Sequence, residues 1–326
     1  MRDKRPILTR LVVLAACITT SVLTPLAAGR GQIEPITRPS VSENASPLQP
    51  IAPVAQDGYR GQGILRKPPG DGPFPAVVVI HPGLETWPSE QLRQYTLTGA
   101  LPSRLLAAGY VVATMTYRSR DVDPQSRISL NDSLAAVEYL QKLPYVNAES
   151  VVAYGCSGGG DLALAVAAEK PIAAIVAEEP ASILFTGLFT SALPKAGERY
   201  TPLDSAPLFE NSKRYYTDER QRVTRAKIAR IQSRILIVQG DVKTLLAVNE
   251  FNAAVLIPEL RSARKSIDVI TYPGEPHCFA FGNPAGSQAA AAKAFQDMDA
   301  FFRRYIATQP KPIDPTLVTH IPLAPR

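Results

Sequence analysis

Histidine, cysteine and tryptophan are scarce in this chain: three His, three Cys and one Trp among 326 residues. One cysteine, Cys17, lies in the N-terminal segment, so only Cys156 and Cys278 remain, too few for a disulfide framework. No spaced Cys pair or His cluster offers a metal-ligand pattern, so neither a metal nor another cofactor is expected. No internal repeat is present, which removes the repeat architectures. Long apolar runs are also missing, apart from one near the N-terminus.

A large excess of charge is lacking too. The formal net charge is +6. Arg2, Lys4, Arg5 and Arg10 sit against Asp3 in the first 29 residues, and the rest of the chain holds 31 basic and 28 acidic residues. So small an imbalance argues against a nucleic-acid partner. With 45% hydrophobic and 20% charged residues, the chain reads as an ordinary globular protein able to bury a sizeable core.

Residues 1–29 combine a basic start, the apolar run "LVVLAACITTSVLTPLAA" and small residues at "AAG". This is the pattern of a signal peptide and predicts export to the periplasm or beyond. Pro25 and the interspersed Thr and Ser argue against a stable membrane span. "LAAC" resembles a lipobox, which would make the protein a lipoprotein through Cys17. Residues 30–57 are rich in proline and read as a linker, and 309–326 as a tail of the same kind.

Between these ends, apolar runs alternate with helical patterns. Strands are expected at 76–81, 110–117, 150–155, 171–178, 234–240 and 267–273, with an antiparallel edge near "YRGQGILRKP". Helices are expected at "LPSRLLAAG", "SLNDSLAAVEYLQKL", "GGDLALAVAAEK", "LAVNEFNAAVLIPELRSARK" and "GSQAAAAKAFQDMDAFFRRYIA". Continuously apolar strands separated by helices predict an α/β domain at 58–308: a doubly wound, mostly parallel sheet with helices on both faces. Ligands bind such sheets beyond the carboxyl ends of the strands.

The strand at 150–155 runs into "GCSGG", which fits G-x-S-x-G with Ser157 central. A strand turning at once into a helix holds one hydroxyl out over the sheet edge, and glycines on either side leave room for the turn. Ser157 is therefore the candidate nucleophile, rather than Cys156 one residue off the apex. A serine hydroxyl needs a general base. His320 lies in the Pro-rich tail and His81 ends an early strand, whereas His277 follows the last strand in "YPGEPHCFAFG" and is the expected base.

Two backbone N–H donors are needed for an oxyanion. Gly158 is one; the other is expected from Gly83 or Leu84 in "HPGLETW", where Pro82 has no N–H and His81 buttresses the loop. For the acid that orients His277, the expected residue is Asp241, directly after the strand "RILIVQG". Glu179 and Glu178, in "IVAEEPAS", are the alternatives, followed by Glu275. Cys156 and Cys278 flank the two catalytic candidates, and the tight turn predicts that they stay separate buried thiols.

Together, "VVVIHPG", "AYGCSGGGD", "ILIVQGD" and "YPGEPHCFAFG" resemble the α/β-hydrolase superfamily, in its dienelactone-hydrolase-like and prolyl-oligopeptidase-like branches, over residues 59–307. The resemblance implies a serine hydrolase with Ser157 as nucleophile, His277 as base and an acyl-enzyme intermediate. A true dienelactone hydrolase would carry cysteine at the apex. Prolyl-oligopeptidase-like peptidases usually carry a propeller, for which the residues ahead of the catalytic domain are too few, so a small-molecule ester is the expected substrate. A peptidase without a propeller, an acyltransferase and a non-catalytic binding protein are the alternatives.

Some fifty residues separate the fourth and fifth parallel strands, and a helical lid is expected at 180–232, bearing Phe185, Phe189 and Tyr215. Trp87 and Phe185 are the candidate pocket residues, and these aromatics suggest an apolar substrate.

Overall fold

The computed structural model describes residues 46–120, 127–183, 185–188, 207, 210–243 and 247–313. The leader at 1–29, Cys17, most of the segment 30–57, Phe189 and His320 lie outside the described residues.

Eight strands form one sheet: β1 (Gln49–Ile51), β2 (Gln62–Arg66), β3 (Phe74–Ile80), β4 (Val111–Thr116), β5 (Val146–Cys156), β6 (Ala174–Glu178), β7 (Arg234–Gly240) and β8 (Ile267–Tyr272). Their spatial order is β1-β2-β4-β3-β5-β6-β7-β8. β1 and β2 run antiparallel at one edge, and β3 to β8 are mutually parallel. β5, which ends just before Ser157, is central and pairs with β3 (Ile80 opposite Gly155) and β6 (Cys156 opposite Glu178). β8 is the far edge, with β6 and β7 between it and β5.

Side chains alternate across a strand. In β3, Ala76, Val78 and Ile80 enter one core while Val77 and Val79 enter the other. The first core is closed by α3 (Ile128–Gln141), α4 (Gly158–Glu169), α6 (Asp218–Arg230) and α8 (Ile257–Ser262), the second by α1 (Ser89–Thr98), α2 (Ala100–Ala108) and α9 (Gln288–Arg303). The doubly wound arrangement follows from strands that are apolar on both faces. Remaining elements are a short helix α5 (Ser212–Tyr215) and α7 (Val248–Phe251), which continues through a π-turn (Asn252–Leu256) into α8. Among the described residues no helix is long and apolar enough to cross a membrane.

Two expectations are corrected at the margins, and one helix was not expected at all. Residues 49–51, read as linker, form β1, which pairs with β2 despite Pro50 because an edge strand needs no donor on its outer side. The tail from 309 is not free at its start, since Ile313 N–H donates to Ala107 O at 2.8 Å. Helix α1 had no apolar periodicity to reveal it; only Leu92 and Thr96 are buried. Of the lid expected at 180–232, the described residues show turns around 185–188 followed by α5 and α6. α6 is a crossover helix, and its Ile228 joins the core beside α4.

Candidate active site

Ser157 stands between the end of β5 and the first turn of α4, with φ 53° and ψ −116°. A non-glycine residue there is strained by about 1–3 kcal/mol and persists only where its surroundings fix it. Its N–H donates to Glu178 O at 2.9 Å, and its carbonyl accepts from Asp161 and Ala181, each at 3.0 Å. The neighbouring glycines are steric requirements. A Cβ on Gly155 would strike the Gly159 carbonyl, and one on Gly159 would strike the carbonyls of Ile80 and His81. Helix α4 thus starts against β3 and β5 with no side chain between.

His277 lies in the loop after β8, its side chain 24% exposed, with Nδ1 2.9 Å from Oε2 of the fully buried Glu179. Its Nε2 has no hydrogen-bond partner among the described residues, leaving it available to accept a proton. Asp241, expected beside His277, is instead exposed and accepts the Gly274 N–H at 2.6 Å. The carboxylate beside His277 comes from the end of β6, the neighbour of β5, rather than from the end of β7. Glu179, at φ 42°, turns off the end of β6 beneath the histidine loop. The end of β7 contributes a donor instead: Gly240 N–H reaches Glu179 Oε1 at 3.2 Å, with Asn249 Nδ2 at 2.7 Å, while Cys278 N–H reaches Oε2 at 2.6 Å. Burial would raise the Glu179 pKa, but the His277 contact and the hydrogen bonds from Asn249 and Cys278 outweigh it and hold the carboxyl below its ordinary value.

Glu178 points the other way. It accepts the N–H groups of Ala280 (2.8 Å) and Phe281 (3.0 Å) and the Tyr154 hydroxyl. Burial pushes its pKa up to about 7, against the lowering effect of those donors. The two consecutive glutamates therefore divide the work of anchoring the histidine loop. Glu275 caps another turn, accepting Ser287 N–H at 2.8 Å.

Gly158 is the first residue of α4, where N–H groups have no partner inside the helix. The loop after β3 stands opposite, with Gly83 at φ 96°. Leu84 N–H is engaged by Glu85 Oε2 at 3.0 Å, which leaves Gly83 as the better-placed of the two expected donors. His81 is fully buried and stacked between Trp87 (4.4 Å) and Tyr117 (4.3 Å), with Nδ1 on Pro82 O and Nε2 on Thr116 Oγ1. Burial depresses its pKa to about 3, so it is a neutral brace for the loop.

Two pocket expectations are corrected. Trp87 is 7% exposed and spent on His81, Tyr95 and Phe281. Phe185 is fully enclosed in the core, its N–H on Asp161 Oδ1 and its carbonyl on Lys227 Nζ.

The cysteines are also corrected: Cys156 and Cys278 form a disulfide, with Cα atoms 5.9 Å apart. Cys278 adopts φ 60°, bringing its backbone within the span such a bond requires. His277 and the two sulfurs lie within 4.8 Å of one another, but sulfurs bonded to each other are not thiolate ligands.

Arg120 and Asp161 were not singled out in the sequence. Both are buried and paired, Nη1 to Oδ2, at 3.2 Å. Arg120 also donates from Nη2 to Gly158 O (3.1 Å) and from its backbone to Leu84 O (2.7 Å), tying the oxyanion-side loop to α4. The available signal was an aspartate inside the apolar run "GGGDLALAV", which would need a buried cation.

A sheet of this order, with a strained serine at the turn into α4 and a histidine paired to a buried carboxylate at its carboxyl edge, defines an α/β-hydrolase of the serine type. The prolyl oligopeptidase family model matches residues 125–309, more than half of the chain, and the protein belongs to that family. The model described as BD-FAE matches residues 64–182. The fold is shared with carboxyl esterase 2 from Tuber melanosporum (TM-score 0.58, 18% identity, 85% of this chain and 93% of that one). It is also shared with a thermostable esterase from Pseudomonas putida (TM-score 0.57, 15% identity, 82% and 86%). A curated relative, acyl-coenzyme A amino acid N-acyltransferase 2 of Mus musculus, is 24% identical over 287 residues. That match spans 77% of this chain and 64% of the relative.

Proposed function

We propose that this protein is an exported serine esterase that cleaves small carboxylic esters through the triad Ser157, His277 and Glu179. The observation that carries the reading is the His277–Glu179 pair beside a serine held in strained backbone at the turn into α4. His277 Nε2 takes the Ser157 proton as Oγ attacks the ester carbonyl, and Glu179 stabilises the imidazolium at Nδ1. The N–H groups of Gly158 and Gly83 receive the oxyanion. Imidazolium then protonates the leaving alcohol. Water, activated by the same histidine, releases the acid.

Export is supported by the leader-like residues 1–29 and by a disulfide at the site, which suits an oxidising compartment. Lipid attachment at Cys17 is tested by mass spectrometry of the mature N-terminus from cell membranes.

The test is hydrolysis of p-nitrophenyl esters from acetyl to long acyl chains, and of matching p-nitroanilides, by wild type and Ser157→Ala. Ester turnover that depends on chain length and is lost in the variant supports the esterase. Faster cleavage of the anilides would replace it with a peptidase. The mouse relative favours one second reading, acyl transfer to an amine acceptor. Acylated amine appearing faster than free acid, with an added amino acid such as glycine, would establish that reading instead.

A further inference from the structure

The loop carrying His277 springs from β8, the edge strand, whereas Ser157 stands on β5 with β6 and β7 in between. Something must draw residues 273–287 back across two strands, and they contain no helix or strand of their own. The hydrogen bonds that hold this loop over the sheet end on other elements. Glu179 takes Cys278 N–H, Glu178 takes those of Ala280 and Phe281, and Tyr95 of α1 donates to Phe281 O. Tyr154 of β5 also stacks on Phe281, but the covalent tie to that strand is the Cys156–Cys278 disulfide, which joins the residue before Ser157 to the residue after His277.

Three further facts place this bond in the positioning of the base. The His277 side chain is 24% exposed and has, among the described residues, one close polar neighbour on its ring, Glu179, so its backbone must supply the rest of its orientation. Cys278 holds φ 60°, a conformation that costs energy unless enforced. Both cysteines are buried, Cys156 fully and Cys278 at 8% exposure, and their sulfurs lie within 4.8 Å of a His277 ring nitrogen. We propose that the Cys156–Cys278 disulfide is a positioning device for catalysis. It sets the approach of His277 Nε2 to Ser157 Oγ, so that opening it uncouples base from nucleophile while the domain stays folded. The proposal rests on the serine-hydrolase reading of the site and adds a redox condition to it.

Reduction by dithiothreitol transfers two electrons and two protons to the bond, giving two thiols and cyclic oxidised dithiothreitol. A displacement of about 1 Å between reacting groups can cost on the order of 10²-fold in rate. The reduced enzyme and the double variant Cys156→Ala/Cys278→Ala are therefore expected to lose about 10- to 100-fold in kcat. KM should change less than threefold, and labelling of Ser157 by a fluorophosphonate should slow in parallel with kcat. Reoxidation restores the wild type and leaves the double variant unchanged. EDTA is kept in all samples, because freed thiols beside His277 would form a zinc-binding set.

Assays are run at a temperature where circular dichroism shows each species folded, and the reduced wild type serves if the double variant does not fold. Unchanged kcat and an unchanged pH profile of kcat/KM in folded, reduced enzyme, with only the melting temperature lowered, would overturn the proposal and leave the bond a structural staple. No turnover and no labelling in the oxidised wild type would instead remove the hydrolase reading, and the proposal with it.

Discussion

The two turns that meet at the active site are held in place by different physics. At Ser157 the backbone is confined by contact: glycines at 155, 158 and 159 let α4 start against β3 and β5, and no side chain could be added without collision. At His277 the backbone is held by connections made at a distance, to two glutamates from β6 and a cysteine from β5. A turn fixed by close packing resists small chemical changes and fails when volume is added. A turn fixed by ties fails when a partner is removed.

That contrast can be broken from either side, and the largest effect is expected at the nucleophile itself. Ser157→Ala should cut kcat by on the order of 10⁴- to 10⁶-fold with the fold intact, checked by steady-state kinetics and circular dichroism. Next comes the buried ion pair that locks the oxyanion-side loop to α4. Asp161→Ala leaves Arg120 buried without its counter-charge and should cost about 3–5 kcal/mol, read from urea unfolding. Gly159→Ala tests packing alone: the added methyl meets the Ile80 carbonyl and should destabilise by about 1–3 kcal/mol or more, with activity falling as the turn shifts.

The smallest effect sharpens the comparison through pH. Glu178 has a folded pKa of about 7, raised mainly by burial above its ordinary 4.5. The unfolded chain therefore releases this proton first, and stability falls as pH rises from about 4.5 through 7. Glu178→Gln should flatten that decline in melting temperature across the window. Glu179 behaves oppositely, because its depressed pKa gives stability that is present above pH 4.5 and lost as pH falls through its folded value.

The contact-held turn is the part that was legible in the sequence. "VVAYGCSGGGD" encodes both the apolar strand and the glycines that the turn needs, within one short window. The sheet was legible for the same reason, since Val- and Ile-rich runs such as "AVVVI" are apolar on both faces. The tied turn was not. The choice between Asp241 and Glu179 depends on strand order in space, and the disulfide spans 122 residues of sequence. Arg120 and Asp161, likewise far apart in the chain, had no local pattern to join them. Trp87 and Phe185 misled because an aromatic in a loop near the site carries no sign of whether it faces the mouth or the core.

The acid is where the account is most exposed, because two carboxylates compete for one role. We would measure kcat/KM against pH on a p-nitrophenyl ester for wild type, Glu179→Gln and Asp241→Asn. The structure predicts a loss of about 10²- to 10⁴-fold for Glu179→Gln and a change of less than about twofold for Asp241→Asn. A large loss in Asp241→Asn with near-normal Glu179→Gln would contradict the proposed triad and return the acid to the end of β7.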